Sequence, residues 1–201
     1  MRLFLKISLI TLMFSCASYY EHNNFEQIDS EAIIHNPYFS DPDQDYIYKA
    51  GITVYERQFG GILVVKKIGV EQHRIVFTTE MGNKIFDFTL KSNEFIVNEI
   101  LKDFDKGLLI KLLKRDFMVL VTEKIEPVSN YSKEDQKITL GILDGKAHYY
   151  FEREHITKIV RAKHRKEKVT FLFRNISDNI AKEIDILHAN IPLEIKLKAI
   201  F

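Results

Sequence analysis

Asn83-Lys84-Ile85-Phe86-Asp87-Phe88-Thr89-Leu90 is the stretch on which the fold turns. Phe86, Phe88 and Leu90 alternate with Asp87 and Thr89, a period of two that gives a strand one large apolar face and one polar face. The same period continues outward. Tyr46, Tyr48, Ala50, Ile52 and Val54 share one face, with Lys49, Thr53 and Arg57 on the other. Residues 60–68, 72–80 and 94–100 are further strand-length runs. Gly69, Met81-Gly82-Asn83 and Ser92-Asn93 supply short connections of the hairpin kind. Five strands joined in this way predict an antiparallel meander.

Over residues 103–121 the period changes. Phe104, Leu108, Leu109, Leu112, Leu113, Phe117 and Leu120 recur at intervals of three and four, and Lys106, Lys111, Lys114 and Arg115 take the other side. This is an amphipathic helix whose leucine face is expected to cover the sheet; a membrane-surface element with a basic polar face is the alternative. Residues 123–136 read as a loop by composition. Strand patterns resume at 146–153, 155–163, 167–174, 184–189 and 193–201, the last with Leu193, Ile195, Leu197 and Ala199 opposite Glu194, Lys196 and Lys198. The expectation is mainly β: a curved antiparallel sheet forming an incompletely closed β-barrel, covered by one helix, because long antiparallel sheets curl or close to manage their edges.

The N-terminus has a different character. Arg2 and Lys6 precede an apolar run from Ile7 to Phe14, followed by Ser15 and the only cysteine, Cys16. This is the three-part layout of an export signal, too short to span a bilayer as a mature helix. Residues 17–45 are polar and interrupted by Pro37 and Pro42, and read as a tether. The expected division is a signal peptide at 1–15, a lipidated Cys16 with a flexible tether at 16–45, and one β domain at 46–201.

Twenty-nine basic residues against 28 acidic ones give a net charge of +1, so no excess of charge draws the chain to nucleic acid. With one cysteine the mature domain has no internal disulfide. Its 46% hydrophobic content must supply the stability. The seven histidines form no H-E-x-x-H pattern, and there is no G-x-S-x-G elbow and no phosphate-cradling glycine loop. His148, Glu152, Glu154 and His155 are the nearest thing to a cluster, and solvated charges around a hairpin are the reading preferred to a metal site. No catalytic residue, metal or cofactor is expected. His164 lies in a short basic run, Arg161-Ala162-Lys163-His164-Arg165-Lys166, of a kind that marks a strand end or contacts anionic headgroups.

Two resemblances add to this reading. Met13-Phe14-Ser15-Cys16 resembles a bacterial lipobox, although Met13 and Phe14 depart from its preferred residues. That resemblance implies lipidation of Cys16. The succession of residues 83–90, Phe95-Ile96-Val97-Asn98-Glu99-Ile100 and the helix at 108–117 resembles the LolA/LolB fold, the more so for being tethered by a lipid. The resemblance implies a hydrophobic cavity for the acyl chains of another lipoprotein, and a LolB-like acceptor that takes cargo from a periplasmic LolA-like carrier and inserts it into the outer membrane. The inward positions chosen for such a cavity are Ile75, Phe77, Phe86, Phe88, Leu90, Phe95 and Val97; the same residues would equally form a closed core. Met81, apolar at a hairpin tip, would be the membrane-facing residue. By the same resemblance the lack of aspartate after Cys16 favours the outer membrane, facing the periplasm. The alternative function is a cell-envelope lipoprotein with a filled barrel, acting as a structural or protein-interaction module.

Overall fold

The computed structural model describes residues 17–30, 33–92 and 94–200; the signal segment and Cys16 lie outside the described residues. After a one-turn helix α1 (Tyr19–His22) come β1 (Glu26–Ile28) and β2 (Ile34–His35). The first meander is β3 (Asp45–Val54), β4 (Arg57–Gly69), β5 (Gln72–Thr78), β6 (Lys84–Lys91) and β7 (Glu94–Ile100). Helix α2 (Gly107–Val121) follows, then β8 (Lys124–Ile125), β9 (Pro127–Lys133), β10 (Gln136–Leu143), β11 (Lys146–Glu152), β12 (Ile156–Lys163), β13 (Lys166–Ser177), β14 (Ile180–His188) and β15 (Leu193–Ala199).

Thirteen of these strands form one antiparallel sheet in the order β1-β9-β10-β11-β12-β13-β14-β15-β3-β4-β5-β6-β7, with β2 and β8 as a separate pair. The last strand joins the two meanders, running from Leu193 opposite Val54 to Ala199 opposite Tyr48. The sheet is curved and does not close: β1 and β7 are free edges. Alternation along each strand decides what the curve encloses. Phe86 and Phe88, Ile75 and Phe77, Ile195 and Leu197 all face the concave side and are buried.

Helix α2 fills that concavity. Leu109, Leu112, Leu113, Phe117 and Leu120 pack onto the sheet as the spacing predicts, each large side chain contributing about 1.5–3 kcal/mol by its burial. Leu108, expected on the same stripe, is exposed instead, because the helix begins only at Gly107 and its first turn lies at the rim. Phe104 precedes the helix and wedges between Phe59 and Phe86. From Asp116 to Val121 every residue is buried, so the last turns are covered on all sides.

That cover comes from the segment expected to be a flexible tether. Residues 17–45 are folded onto the domain wherever they are described. Asn36 Nδ2 donates to the carbonyls of Leu120 (2.9 Å) and Thr122 (3.2 Å), capping α2. Tyr38 stacks on Phe173 at 4.7 Å and its hydroxyl donates to the Ile156 carbonyl. Phe39 is buried against Tyr46 and Tyr48. Earlier in the segment, α1 opens on a capping box between Ser18 and Glu21 and lies on the convex face. There Tyr19, Tyr20 and Phe25 meet Tyr131, Tyr149 and Phe151, forming a second hydrophobic cluster. The tyrosines, phenylalanines and Asn36 of this stretch lack a regular period, so composition alone suggested coil.

The loop expected at 123–136 is likewise mostly strand. β9 escaped notice because its buried side chain on the concave face is Asn130, held by Thr139 Oγ1 at 2.6 Å and by the Ser30 carbonyl. β10 mixes Ile138 with Thr139 and Gly141. Gly141 has no substitute there, since a Cβ would lie 2.3 Å from Ile125. No described helix is long and apolar enough to cross a membrane.

Candidate functional site: a cleft beside the end of helix α2

One cleft of about 410 Å³ opens where the C-terminal end of α2 meets the sheet. Leu90, Met118, Val121 and Leu143 supply apolar lining, and Lys67, Glu71, His73, Ser92, Glu123 and Lys124 supply polar groups. The elements explain the mixture. β6 brings Leu90 at the end of its apolar face, α2 brings Met118 and Val121 from its last turns, and the hairpin after β10 brings Leu143. The chain leaving α2 then places Glu123 and Lys124 at the mouth.

The polar side is a fixed network. Lys67 Nζ donates to Glu123 Oε2 at 2.9 Å and to the Ser40 carbonyl at 3.0 Å, and stands 2.8 Å from Glu123 Oε1. Glu123 Oε1 is buried, and beyond this close charge contact it has no hydrogen-bond partner among the described residues. His73 Nε2 lies 2.9 Å from the Phe39 carbonyl, an acceptor, so this nitrogen carries the proton. Burial pushes the His73 imidazole below its ordinary pKa, leaving it neutral with Lys67 as the fixed cation beside it. Apolar walls with charged groups along one side complement a molecule that has an apolar part and a polar part.

The positions chosen from sequence for a cavity divide into three groups. Ile75, Phe77, Phe86 and Phe88 are fully buried beneath α2. Phe86 and Phe88 stack on each other at 4.4 Å, with Phe117 of the helix 5.8 and 6.4 Å away, so they form packed core and line no opening. Leu90 alone of the set reaches the cleft. Phe95 is partly buried against Phe88, and Val97, chosen as inward-facing, is 38% exposed because β7 is the edge strand of the sheet among the described residues. Met81 stands 91% exposed in the β5–β6 turn, at the far end of that ladder from Glu71, His73 and Ser92.

Sequence reading missed a polar layer beneath α2. His188 Nε2 meets Asp116 Oδ2 at 2.8 Å, both side chains almost wholly buried. Burial pushes the Asp116 carboxyl above its usual range, against the pull of His188 and Arg161. His148 pairs with Arg161 across β11 and β12 on the same face; burial pushes its imidazole down to about 4, and Nδ1 donates to the Lys146 carbonyl. Arg115 closes the layer through Asp144 at 3.1 Å. The signal was present: Asp116 lies within the apolar stripe of α2. His148 is thereby separated from Glu154 and His155, which lie at the β11–β12 turn beside Asp135 and Arg153. Among the described residues no group of three His, Cys, Asp or Glu side chains is placed to hold a metal ion.

No protein-family profile matches the sequence, and no curated protein matches it. Among solved structures the chain is similar to a LolA superfamily protein from Nitrosomonas europaea, with a TM-score of 0.49 and 10% identity over 83% of this chain and 88% of that one. It is also similar to a DUF1329 family protein from Desulfovibrio piger, with a TM-score of 0.40 and 9% identity over 78% of this chain and 84% of that one.

Proposed function

We propose that this protein is a non-enzymatic, membrane-anchored carrier or acceptor that binds an acyl chain in the cleft beside α2 and passes acylated cargo, lipoproteins above all, to the outer membrane. The observation that supports it is the cleft itself: apolar walls from Leu90, Met118, Val121 and Leu143 with Lys67 and Lys124 at the opening. Each methylene buried there is favourable by about 0.8 kcal/mol, and the shallow, half-polar site keeps affinity low enough for release. Lipidation of Cys16, a periplasm-facing position and a LolA-like donor belong to the same proposal. Native mass spectrometry of the chain from Ala17 onward, which keeps every helix and strand of the described residues and both hydrophobic clusters, tests it. Uptake of a fatty acid or acylated peptide, lost in Leu90→Glu, is the expected result. No uptake of any acyl compound sinks the reading.

Met81 at the hairpin tip is proposed as an apolar membrane contact in a different orientation of the domain, since the β5–β6 turn lies at the end of its ladder away from the cleft. Met81→Glu is expected to impair delivery and leave uptake intact; unchanged delivery removes the tip from the mechanism.

A second reading is supported by the dense packing of Phe86, Phe88 and Phe117, which leaves the concave face largely filled. In it the domain is an interaction module of the cell envelope, and chains without acyl ligands are expected from every preparation.

A further inference from the structure

The strap formed by α1 fixes where the N-terminus leaves the domain. Tyr19 donates its hydroxyl to Glu167 Oε1 at 2.6 Å, and its ring packs on Tyr149 at 4.8 Å. Glu167 directly follows the tight turn between β12 and β13, made of Lys163, His164, Arg165 and Lys166, all exposed. None of the three permanent cations in that turn has an ion-pair partner among the described residues. His164 takes the left-handed backbone conformation (φ 54°) that makes the turn tight and presents the basic side chains together at its tip.

The neighbouring turn adds to the same rim. Lys146, also exposed and without an ion-pair partner among the described residues, begins β11 two residues before the pair His148–Arg161, while Lys163 ends β12 two residues after it. Across β10 the rim becomes apolar: Ile142 is 53% exposed, and Val128, the β9 residue at the register shift opposite Leu140 and Gly141, is 59% exposed. Leu143, next to Ile142, is a wall of the cleft. Adjacent strands are about 4.8 Å apart, so from Val128 to Lys166 this rim spans roughly 20 Å. Cations flanking exposed aliphatic side chains are the composition that binds the surface of an anionic bilayer, the cations to headgroups and the aliphatics to the acyl boundary.

We infer that the rim carrying Val128, Ile142, Lys146, Lys163, Arg165 and Lys166 docks on an anionic lipid surface and presents the cleft mouth to it. Cys16 lies three residues before Tyr19, at most about 11 Å along the chain, so a lipid on it enters the bilayer beside this rim. The orientation rests on the lipid-anchor reading given above, whereas docking of the rim itself does not. A protein held at both points hands an apolar ligand from Leu143 and Val121 directly to the membrane it touches.

The chain from Ala17 onward, which has no lipid, separates the two readings. Vesicle co-flotation is expected to show binding to phosphatidylcholine vesicles with about 30 mol% phosphatidylglycerol, at least tenfold stronger than to phosphatidylcholine alone, and weakening as salt rises from about 50 to 300 mM. The combined variant Lys163→Glu, Arg165→Glu and Lys166→Glu is expected to lose at least tenfold in binding with an unchanged melting transition. The same change in net charge made at Lys102, Lys182 and Lys198 is expected to keep binding within about twofold. Equal binding to both vesicles, an unaffected rim variant, or equal loss in the two triple variants overturns the inference. Uptake of acyl compounds, measured separately, reports on the cleft alone, so loss of either leaves the other standing.

Discussion

At the scale of single residues, the polar layer under α2 makes stability respond to pH in a defined window. His148 is neutral in the folded chain, with its pKa near 4 against 6.5 for an ordinary imidazole. The unfolded chain therefore takes up a proton first as pH falls, and stability is lost between about 6.5 and 4, by up to about 3 kcal/mol. Asp87 titrates elsewhere: chiefly its bond to Arg74 holds it down to about 2, so its loss comes only below the ordinary value of 3.8. Denaturant melts at pH 7 and 4.5 should show His148→Gln losing less stability than the parent chain; parallel losses would remove His148 as the cause. Asp116 makes a different case. Asp116→Ala leaves His188 buried without its hydrogen-bond partner, and leaving such a group unsatisfied costs about 1–3 kcal/mol, measurable as a lowered melting temperature at pH 7. Both residues stand in the sequence as polar interruptions of apolar patterns. Their partners were not legible, because Asp116 and His188 are 72 positions apart and no local period relates them.

At the scale of elements, the regular pieces were legible and the irregular ones were not. Phe86-Asp87-Phe88-Thr89-Leu90 and the stripe of α2 announce their faces because their burial is periodic. Residues 17–45 bury Tyr19, Ile34, Tyr38 and Phe39 at aperiodic positions, each in a recess made by distant strands. The difference between a strap and a tether has a direct consequence. Removing residues 17–28 uncovers Tyr131, Tyr149 and Phe151 on the convex face and takes β1 from the outer edge of β9. Such a truncation is expected to lower the denaturation midpoint and to bind a hydrophobic dye, whereas a true tether could be removed without change. Within the strap, Tyr19→Ala should account for much of the loss, about 3 kcal/mol or more for a buried aromatic. Among the strands, Gly61 admits no side chain, since a Cβ would meet the Thr78 carbonyl oxygen at 1.9 Å. Gly61→Ala is expected to disrupt the β4–β5 ladder and leave little soluble protein.

At the scale of the whole molecule, an open thirteen-stranded sheet with its concavity occupied by a helix has limited free volume, and that volume decides capacity. A cleft of about 410 Å³ lies in the lower part of the roughly 300–1,000 Å³ usual for small-ligand sites, room for one acyl chain and not for three. Within the concavity more space would open if α2 withdrew, and withdrawing Phe117 from Phe86 and Phe88 costs about 3–5 kcal/mol for that side chain alone. A single-chain ligand is therefore expected to bind one to one with α2 retaining its protection from hydrogen exchange. A triacylated peptide is expected either to leave two chains outside or to expose the amides of α2, and exchange data distinguish the two. Met118 sits on the cleft wall at the last turns of the helix, so Met118→Trp fills the opening from an element that stays in place. That variant is expected to keep its melting temperature within a few degrees and to lose uptake at least tenfold. Undiminished uptake in Met118→Trp would place the bound chain somewhere other than this cleft.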